Sequence, residues 1–122
     1  MKTWKVLLVD DEEEFASTLA ERLRYRGITT SIASDGAEAL ELIEADPPEV
    51  VVLDVKMPGF GGLEVLKNLR RTNPQIKVIL LTGYGSIKGG IEGMHLGAFE
   101  YLTKPVSIEK LIEKMAEALE AS

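Results

Sequence analysis

Short apolar runs alternate along the chain with amphipathic stretches, and this alternation predicts a strand followed by a helix, repeated five times. The clearest run is Val50-Val51-Val52-Leu53, which leads directly into Asp54. A strand without a polar face is typical of a parallel sheet that is covered on both sides. The other predicted strands are residues 5–9, 28–33, 76–81 and 99–102, and only 28–33 alternates apolar with hydroxyl side chains as a partly exposed strand does.

Each predicted helix has an apolar face at three- and four-residue spacing. Asp35 and Glu38 have the spacing of a capping box at the start of the second helix, and Ser86 and Ser107 are candidate caps of the fourth and fifth. The apolar positions are Phe15, Leu19 and Leu23 in the first helix, Ala37, Leu40 and Ile43 in the second, Leu63, Leu66 and Leu69 in the third, Ile87, Ile91 and Met94 in the fourth, and Ile108, Leu111, Ile112, Met115 and Leu119 in the fifth.

Alternating strands and helices with short connections predict an α/β fold, in which helices cover both faces of a parallel sheet. A chain of 122 residues is long enough for one domain with its own core, and it contains no linker-like or repeated stretch. We therefore expect a single domain over residues 1–122. Periodicity alone leaves the order of the strands open.

The composition argues against several classes of function. The chain has 14 Lys and Arg against 20 Asp and Glu, and its net charge of −6 disfavours direct binding to nucleic acid. It has no cysteine, which excludes disulfides and thiolate metal sites. No apolar run approaches the length of a signal core or a membrane span, so we expect a cytoplasmic protein that does not bind membranes.

Polar residues follow four of the predicted strands, and the carboxyl ends of parallel strands share one edge of the sheet. These residues are Asp10 and Asp11, Asp54, Thr82, and Lys104. Crowded carboxylates repel one another, and a divalent ion such as Mg²⁺ neutralises a group of this kind. An ammonium and a hydroxyl nearby suit the oxygens of a phosphoryl group. The set therefore predicts phosphoryl transfer with Asp54 as the nucleophile.

On these residues the chain resembles the receiver domain of two-component response regulators, including chemotaxis regulators, over essentially its whole length. Each motif alone is weak, but their order and their positions at strand ends make the match specific. The motifs are Val9-Asp10-Asp11, Leu53-Asp54-Val55-Lys56-Met57-Pro58-Gly59, Leu81-Thr82-Gly83 and Tyr101-Leu102-Thr103-Lys104-Pro105.

The resemblance implies a flavodoxin-like, doubly wound sheet with strand order 2-1-3-4-5. It implies that Asp54 accepts a phosphoryl group from a sensor histidine kinase or a histidine phosphotransfer protein. It also implies bound Mg²⁺ or Mn²⁺, held by the side chains of Asp11 and Asp54 and the main-chain carbonyl of Lys56, with Asp10 acting largely through water.

The resemblance further implies that Lys104 pairs with the phosphoryl oxygens, and that Thr82 and Tyr101 form a switch. Lys104-Pro105 is then a cis peptide bond. The resemblance implies that the switch changes the face made by the fourth helix, fifth strand and fifth helix. This face would bind a downstream effector protein, an output domain outside these 122 residues, or a second copy in a phosphorylation-dependent dimer.

Three alternatives are weighed against this interpretation. An aspartate-nucleophile phosphatase of the haloacid dehalogenase type needs a second Asp two residues after the nucleophile, where this chain has Lys56. A flavodoxin-like binder needs a phosphate loop after the first strand, where Asp10 and the acids after it would repel phosphate. A receiver fold used only for protein contact, without phosphorylation, remains the main alternative. We expect the chain to catalyse only its own phosphorylation and dephosphorylation.

Two features of this chain suggest further hypotheses. Gly89, Gly90 and Gly93 fall within the fourth helix, where each glycine costs about 1 kcal/mol relative to alanine, so this helix could be loosely ordered before phosphorylation. Lys56 and Tyr84 lie two residues beyond Asp54 and Thr82, at positions that flank the path of hydrolytic water in the family that the chain resembles. They predict a long-lived phosphoaspartate.

Overall fold

The computed structural model describes residues 4–57, 60–83 and 87–121. Five strands and five helices alternate along this part of the chain, as the apolar pattern predicts. They are β1 (Lys5–Val9), α1 (Glu13–Tyr25), β2 (Thr29–Ala33), α2 (Gly36–Ala45), β3 (Val50–Asp54), α3 (Gly62–Thr72), β4 (Lys77–Thr82), α4 (Ile87–His95), β5 (Glu100–Thr103) and α5 (Ile108–Glu120).

The strands form one parallel sheet in the order β2-β1-β3-β4-β5, which confirms the order implied by the resemblance. The register pairs Val9 with Leu53 and Asp54 with Leu81. Because neighbouring strands end at nearly the same level, the residues that close β1, β3 and β4 lie side by side at the carboxyl edge. The fold thus brings the predicted site residues to one edge of the sheet.

Two apolar layers cover the sheet, one on each face. Val51 and Leu53 point into a layer shared with α2 and α3, whereas Val50 and Val52 point into a layer shared with α1 and α5. Every residue of β3 is buried. The uninterrupted apolar run in β3 therefore reflects a central strand with two buried faces, as predicted.

Side chains cap two of the helices at the predicted positions. The Asp35 side chain accepts a hydrogen bond from the Glu38 N–H (2.8 Å), and Ser107 Oγ accepts one from the Lys110 N–H (3.1 Å). The return bond of the α2 capping box is shifted by one residue, because Glu38 Oε1 accepts from the Ser34 N–H (2.7 Å). Ser86, the predicted cap of α4, lies outside the described residues.

Some strand bounds and one helix face differ from the sequence prediction. β4 and β5 each begin and end one residue later than predicted, at Lys77–Thr82 and Glu100–Thr103. Ile76 is excluded from β4 because its N–H closes a turn onto the Asn73 carbonyl (3.0 Å). In α2 the apolar face is rotated, so that Ala39 is buried and Ala37 is exposed.

Two of the apolar residues predicted for α4 are exposed. Ile91 is 48% exposed and Met94 is 38% exposed, so these two positions of the predicted apolar face do not mark the buried face of the helix. The helix instead turns Gly90 and Gly93, which are both buried, toward β4 and β5. A hydropathy pattern gives glycine little weight, although glycine allows the closest approach of a helix to a sheet.

At all three glycines of α4, a Cβ would come too close to a side chain from elsewhere in the fold. An ideal Cβ on Gly89 would lie 2.7 Å from Val55 Cγ1, and one on Gly90 would lie 2.7 Å from Tyr101 Cδ1. A Cβ on Gly93 would overlap Leu80 Cδ1. Close packing therefore offsets the low helix propensity of these glycines, and it accounts for them without requiring a loosely ordered helix.

We expect Gly93→Ala to destabilise the protein by about 1–2 kcal/mol, because the added methyl group must displace the fully buried Leu80 side chain. Helix propensity alone predicts the opposite effect, an increase of about 1 kcal/mol in the free energy of unfolding. Urea unfolding decides between the two, with Gly89→Ala as the comparison, since its neighbour Val55 is only partly buried. A more stable Gly93→Ala protein would contradict the packing argument.

Candidate functional site

The site lies at the carboxyl edge of the sheet, where β1, β3, β4 and β5 end. Asp10 follows β1, and its N–H donates to the Ala33 carbonyl of β2 (3.1 Å), which extends the sheet to the site. Asp54 is the last residue of β3, and Thr82 is the last of β4. The Lys104 N–H donates to the Thr82 carbonyl (2.7 Å), so the backbone fixes where the lysine side chain starts. The structure therefore brings Asp10, Asp54, Thr82 and Lys104 together.

The β1–α1 turn is held by Asp10. Its carboxylate is buried, and Oδ1 accepts a hydrogen bond from the Glu12 N–H (2.9 Å). This Asx-type turn directs the Glu12 side chain back over the end of the sheet. The same turn leaves Asp11 exposed.

Three carboxylates converge at this edge: one oxygen from each of Asp10, Glu12 and Asp54 lies within 4.8 Å of the others. The sequence prediction placed Asp11 in this group and did not include Glu12. Asp11 lies outside the group, although its charge contributes to raising the pKa of Asp54. Glu12 is therefore the acidic residue that the sequence argument missed.

Lys104 places its ammonium among the three carboxylates. Nζ lies 2.7 Å from Glu12 Oε1, 2.8 Å from Asp10 Oδ2 and 3.7 Å from Asp54 Oδ2. It also lies 4.5 Å from the centre of the Phe15 ring. Burial disfavours the charged form of Lys104, but its close contacts with the carboxylates of Asp10 and Glu12 and the charge of Asp54 outweigh this effect, so the pKa of Lys104 is raised.

Asp54 is an unusually basic carboxylate in this setting. Burial is the largest cause that raises the pKa of Asp54 to about 6, and the charge of Asp10 adds to it. The Lys104 ammonium and the hydrogen bond from the Lys56 N–H to Asp54 Oδ1 (3.2 Å) act in the opposite direction. A buried carboxylate with a raised pKa, beside one ammonium and further acids, is typical of a functional site.

The predicted switch residues are held by contacts with α4 and β5. The buried Thr82 hydroxyl donates to the Leu102 carbonyl (3.4 Å). The Tyr101 ring is partly buried against the backbone of α4 at Gly90. Lys104-Pro105 is a cis peptide bond, as the resemblance implied. Tyr84, which entered the hypothesis of a long-lived phosphoaspartate, lies outside the described residues.

The donor set fits a hard divalent cation. Mg²⁺ prefers carboxylate and carbonyl oxygens, and three carboxylates within 4.8 Å supply such oxygens at one edge of the sheet. Their mutual repulsion also provides the electrostatic reason to bind a cation.

Within the described ranges, no helix is long and apolar enough to cross a membrane.

Comparison with known proteins agrees with the fold. The sequence model of the response regulator receiver domain matches residues 6–116. The chain is 41% identical to the uncharacterized transcriptional regulatory protein YkoG of Bacillus subtilis over 119 residues, which cover 98% of this chain and 52% of YkoG. It is 39% identical to the response regulator MprA of Mycobacterium ulcerans over 115 residues, or 94% of this chain and 50% of MprA.

Among solved structures, a response regulator receiver domain protein from Clostridium thermocellum superposes with a TM-score of 0.90 at 33% identity, covering 96% of this chain and 94% of that chain. The chain spans about half the length of the curated relatives named above. The family match covers most of the chain, MprA is named a response regulator, and the structural neighbour is named a response regulator receiver domain protein. The chain therefore belongs to the response regulator receiver domain family.

Proposed function

We propose that this domain accepts a phosphoryl group on Asp54 in a Mg²⁺-dependent reaction and works as a signalling switch. The observation that carries the proposal is the Lys104 ammonium lying between Asp10 and Asp54, at 2.8 and 3.7 Å, beside a carboxylate whose pKa is raised to about 6. A fold used only for protein contact has no need for three carboxylates and an ammonium at one edge, since such a cluster is costly to bury.

In the proposed reaction, an Asp54 carboxylate oxygen attacks the phosphorus of a phosphohistidine in line with the P–N bond. A new O–P bond forms, the P–N bond breaks, and the imidazole leaves with the electron pair. Bound Mg²⁺ would supply charge neutralisation for the phosphoryl oxygens. The candidate ligands are Asp11, Asp54 and the Lys56 carbonyl, with Asp10 through water, and the structure adds Glu12 as a candidate.

Lys104 would pair with a phosphoryl oxygen, because its ammonium already lies within 3.7 Å of Asp54. Thr82 would turn its hydroxyl from the Leu102 carbonyl toward the phosphoryl group, and Tyr101 would move with it. An effector protein, an output domain or a second copy of the domain would then bind the altered face of α4, β5 and α5.

The partners that follow from this proposal are a sensor histidine kinase or phosphotransfer protein and a downstream effector. Because the chain spans about half of relatives such as YkoG, a transcriptional regulatory protein by name, an output domain joined to this receiver is one form that the effector could take. The receiver itself, with its net charge of −6, is not expected to contact nucleic acid.

The test is intact-mass analysis after incubation with acetyl phosphate, with and without Mg²⁺. We expect wild type to gain the mass of one phosphoryl group only with Mg²⁺, and Asp54→Asn to gain none. Glu44→Gln, which removes an exposed acid on α2, should behave like wild type. An adduct that survives in Asp54→Asn would reject Asp54 as the acceptor. If wild type gains no adduct and does not bind beryllofluoride, the phosphorylation-independent contact module is favoured instead.

A further inference from the structure

We propose that Glu12 is a positioning residue, which holds the Lys104 ammonium on the α1 side of the site until Asp54 is phosphorylated. The inference rests on the proposed function, since it concerns how Lys104 is delivered to the phosphoryl group. It adds a residue outside the motifs that define the site.

The geometry places Lys104 with Glu12 rather than with Asp54. Nζ lies at hydrogen-bonding distance from Glu12 Oε1 (2.7 Å) and Asp10 Oδ2 (2.8 Å), but Asp54 Oδ2 is 3.7 Å away. The Phe15 ring, 4.5 Å from Nζ, is a further contact on the α1 side. The first turn of α1 and the turn before it thus draw the ammonium away from Asp54.

Helix capping does not explain where the Glu12 side chain points. Glu12 is the N-cap residue of α1, but its side chain makes no capping hydrogen bond. Its own N–H is already bound to Asp10 Oδ1 (2.9 Å), and this bond aims the side chain across the site. The Glu12 carboxylate instead accepts a hydrogen bond from Lys104 Nζ, 92 residues away in the sequence.

Glu12 is also the partner that Lys104 can most easily release. The Glu12 side chain is 62% exposed, whereas those of Asp10 and Asp54 are buried. Water can solvate Glu12 once the pair opens, but it cannot reach Asp10 as freely. Exposed ion pairs are weak, so opening this pair should cost no more than a two- to fivefold change in an equilibrium constant.

The test compares Glu12→Gln with Glu14→Gln, which removes an exposed acid from the same helical turn. The first measurement is the ¹³Cε–¹Hε NMR signal of Lys104 in the Mg²⁺-free protein, assigned with Lys104→Arg. We expect Glu12→Gln to shift this signal and Glu14→Gln to leave it in place. An unshifted Lys104 signal in Glu12→Gln would overturn the proposal.

The second measurement is beryllofluoride affinity at saturating Mg²⁺ for each variant, because this anion mimics a phosphoryl group on the carboxylate. Releasing Lys104 should make Glu12→Gln bind two- to fivefold more tightly than wild type, with no such gain for Glu14→Gln. The gain should vanish in a Lys104→Met background. A gain that persists there would instead come from the lost negative charge alone and would count against a positioning role.

These readouts separate the inference from the proposed function. The NMR comparison uses the protein without any phosphoryl mimic, so it decides the Glu12–Lys104 contact even if Asp54 is not a phosphoacceptor. Absence of both a phosphoryl adduct and beryllofluoride binding in wild type would reject the proposed function. Normal wild-type binding, with Glu12→Gln indistinguishable from Glu14→Gln, would reject only the role of Glu12.

Discussion

Gly62→Ala is expected to destabilise the domain by about 2–3 kcal/mol, because no space exists for a Cβ at the start of α3. An ideal Cβ at this position would overlap the Asp54 carbonyl oxygen and lie 3.0 Å from the Asp54 carbonyl carbon and 3.1 Å from Val55 Cα. All three atoms belong to the backbone, so no side-chain rotation can relieve the contact. Either α3 or the end of β3 must move.

The same substitution should also slow the proposed phosphoryl transfer. The backbone atoms that the methyl group displaces belong to Asp54, the proposed phosphoryl acceptor, and to Val55. We expect Gly62→Ala to lower the rate of Mg²⁺-dependent phosphorylation by acetyl phosphate at a temperature where the variant remains folded. Shifts of about 1 Å in a reacting group can cost around a hundredfold in rate. Circular dichroism would establish the folded fraction before the rates are compared.

Gly83→Ala is the matched control for both measurements. Gly83 follows Thr82 at the same edge of the sheet, but an ideal Cβ there has no atom within 4 Å outside its chain neighbours. We expect its stability and phosphorylation rate to stay close to those of wild type. Equal losses in Gly62→Ala and Gly83→Ala would mean that both act through general backbone effects, and the argument from the Asp54 contact would fail.

The central strands could be predicted from sequence because a strand that is buried on both faces has apolar residues at consecutive positions. In β3 every side chain before Asp54 lies in one of the two apolar layers, so each of these positions is a branched apolar residue. The face of α4 could not be predicted in this way. Between Lys88 and His95, where the burial of α4 is described, the buried positions are Gly90 and Gly93, and the hydropathy of glycine does not distinguish a close helix–sheet contact from a flexible segment.

Sequence could predict those site residues whose positions follow from the topology of the sheet. Asp10, Asp54, Thr82 and Lys104 meet because parallel strands end at one edge, whatever the local backbone does. Which acid after Asp10 turns inward is a local matter: the hydrogen bond from the Glu12 N–H to Asp10 directs Glu12 inward and leaves Asp11 exposed. In a run of five acids, composition carries no signal that separates these two residues.

The raised pKa of Asp54 implies that the charged form of this carboxylate lowers the stability of the folded domain. Because burial is the main cause that raises the pKa of Asp54 from 3.8 to about 6, the folded state binds a proton more tightly than the unfolded state does. Well below pH 3.8 the carboxyl is protonated in both states and contributes no difference in stability. As the pH rises through 6 the folded state loses this proton, so stability falls between about pH 4 and pH 6 and stays lower above that range.

Asp54→Asn should therefore be more stable than wild type at pH 7.5, by up to about 3 kcal/mol, with the gain shrinking toward zero near pH 4. The neutral amide avoids the burial cost and the repulsion from Asp10, while Lys104 keeps Asp10 and Glu12 as partners. Urea unfolding in EDTA at several pH values measures this difference, and Glu44→Gln controls for the loss of one negative charge. A gain independent of pH would show that Asn packs better than Asp for other reasons. A gain that follows the titration of Asp54 would show that the site holds unfavourable negative charge, which a bound divalent cation would neutralise.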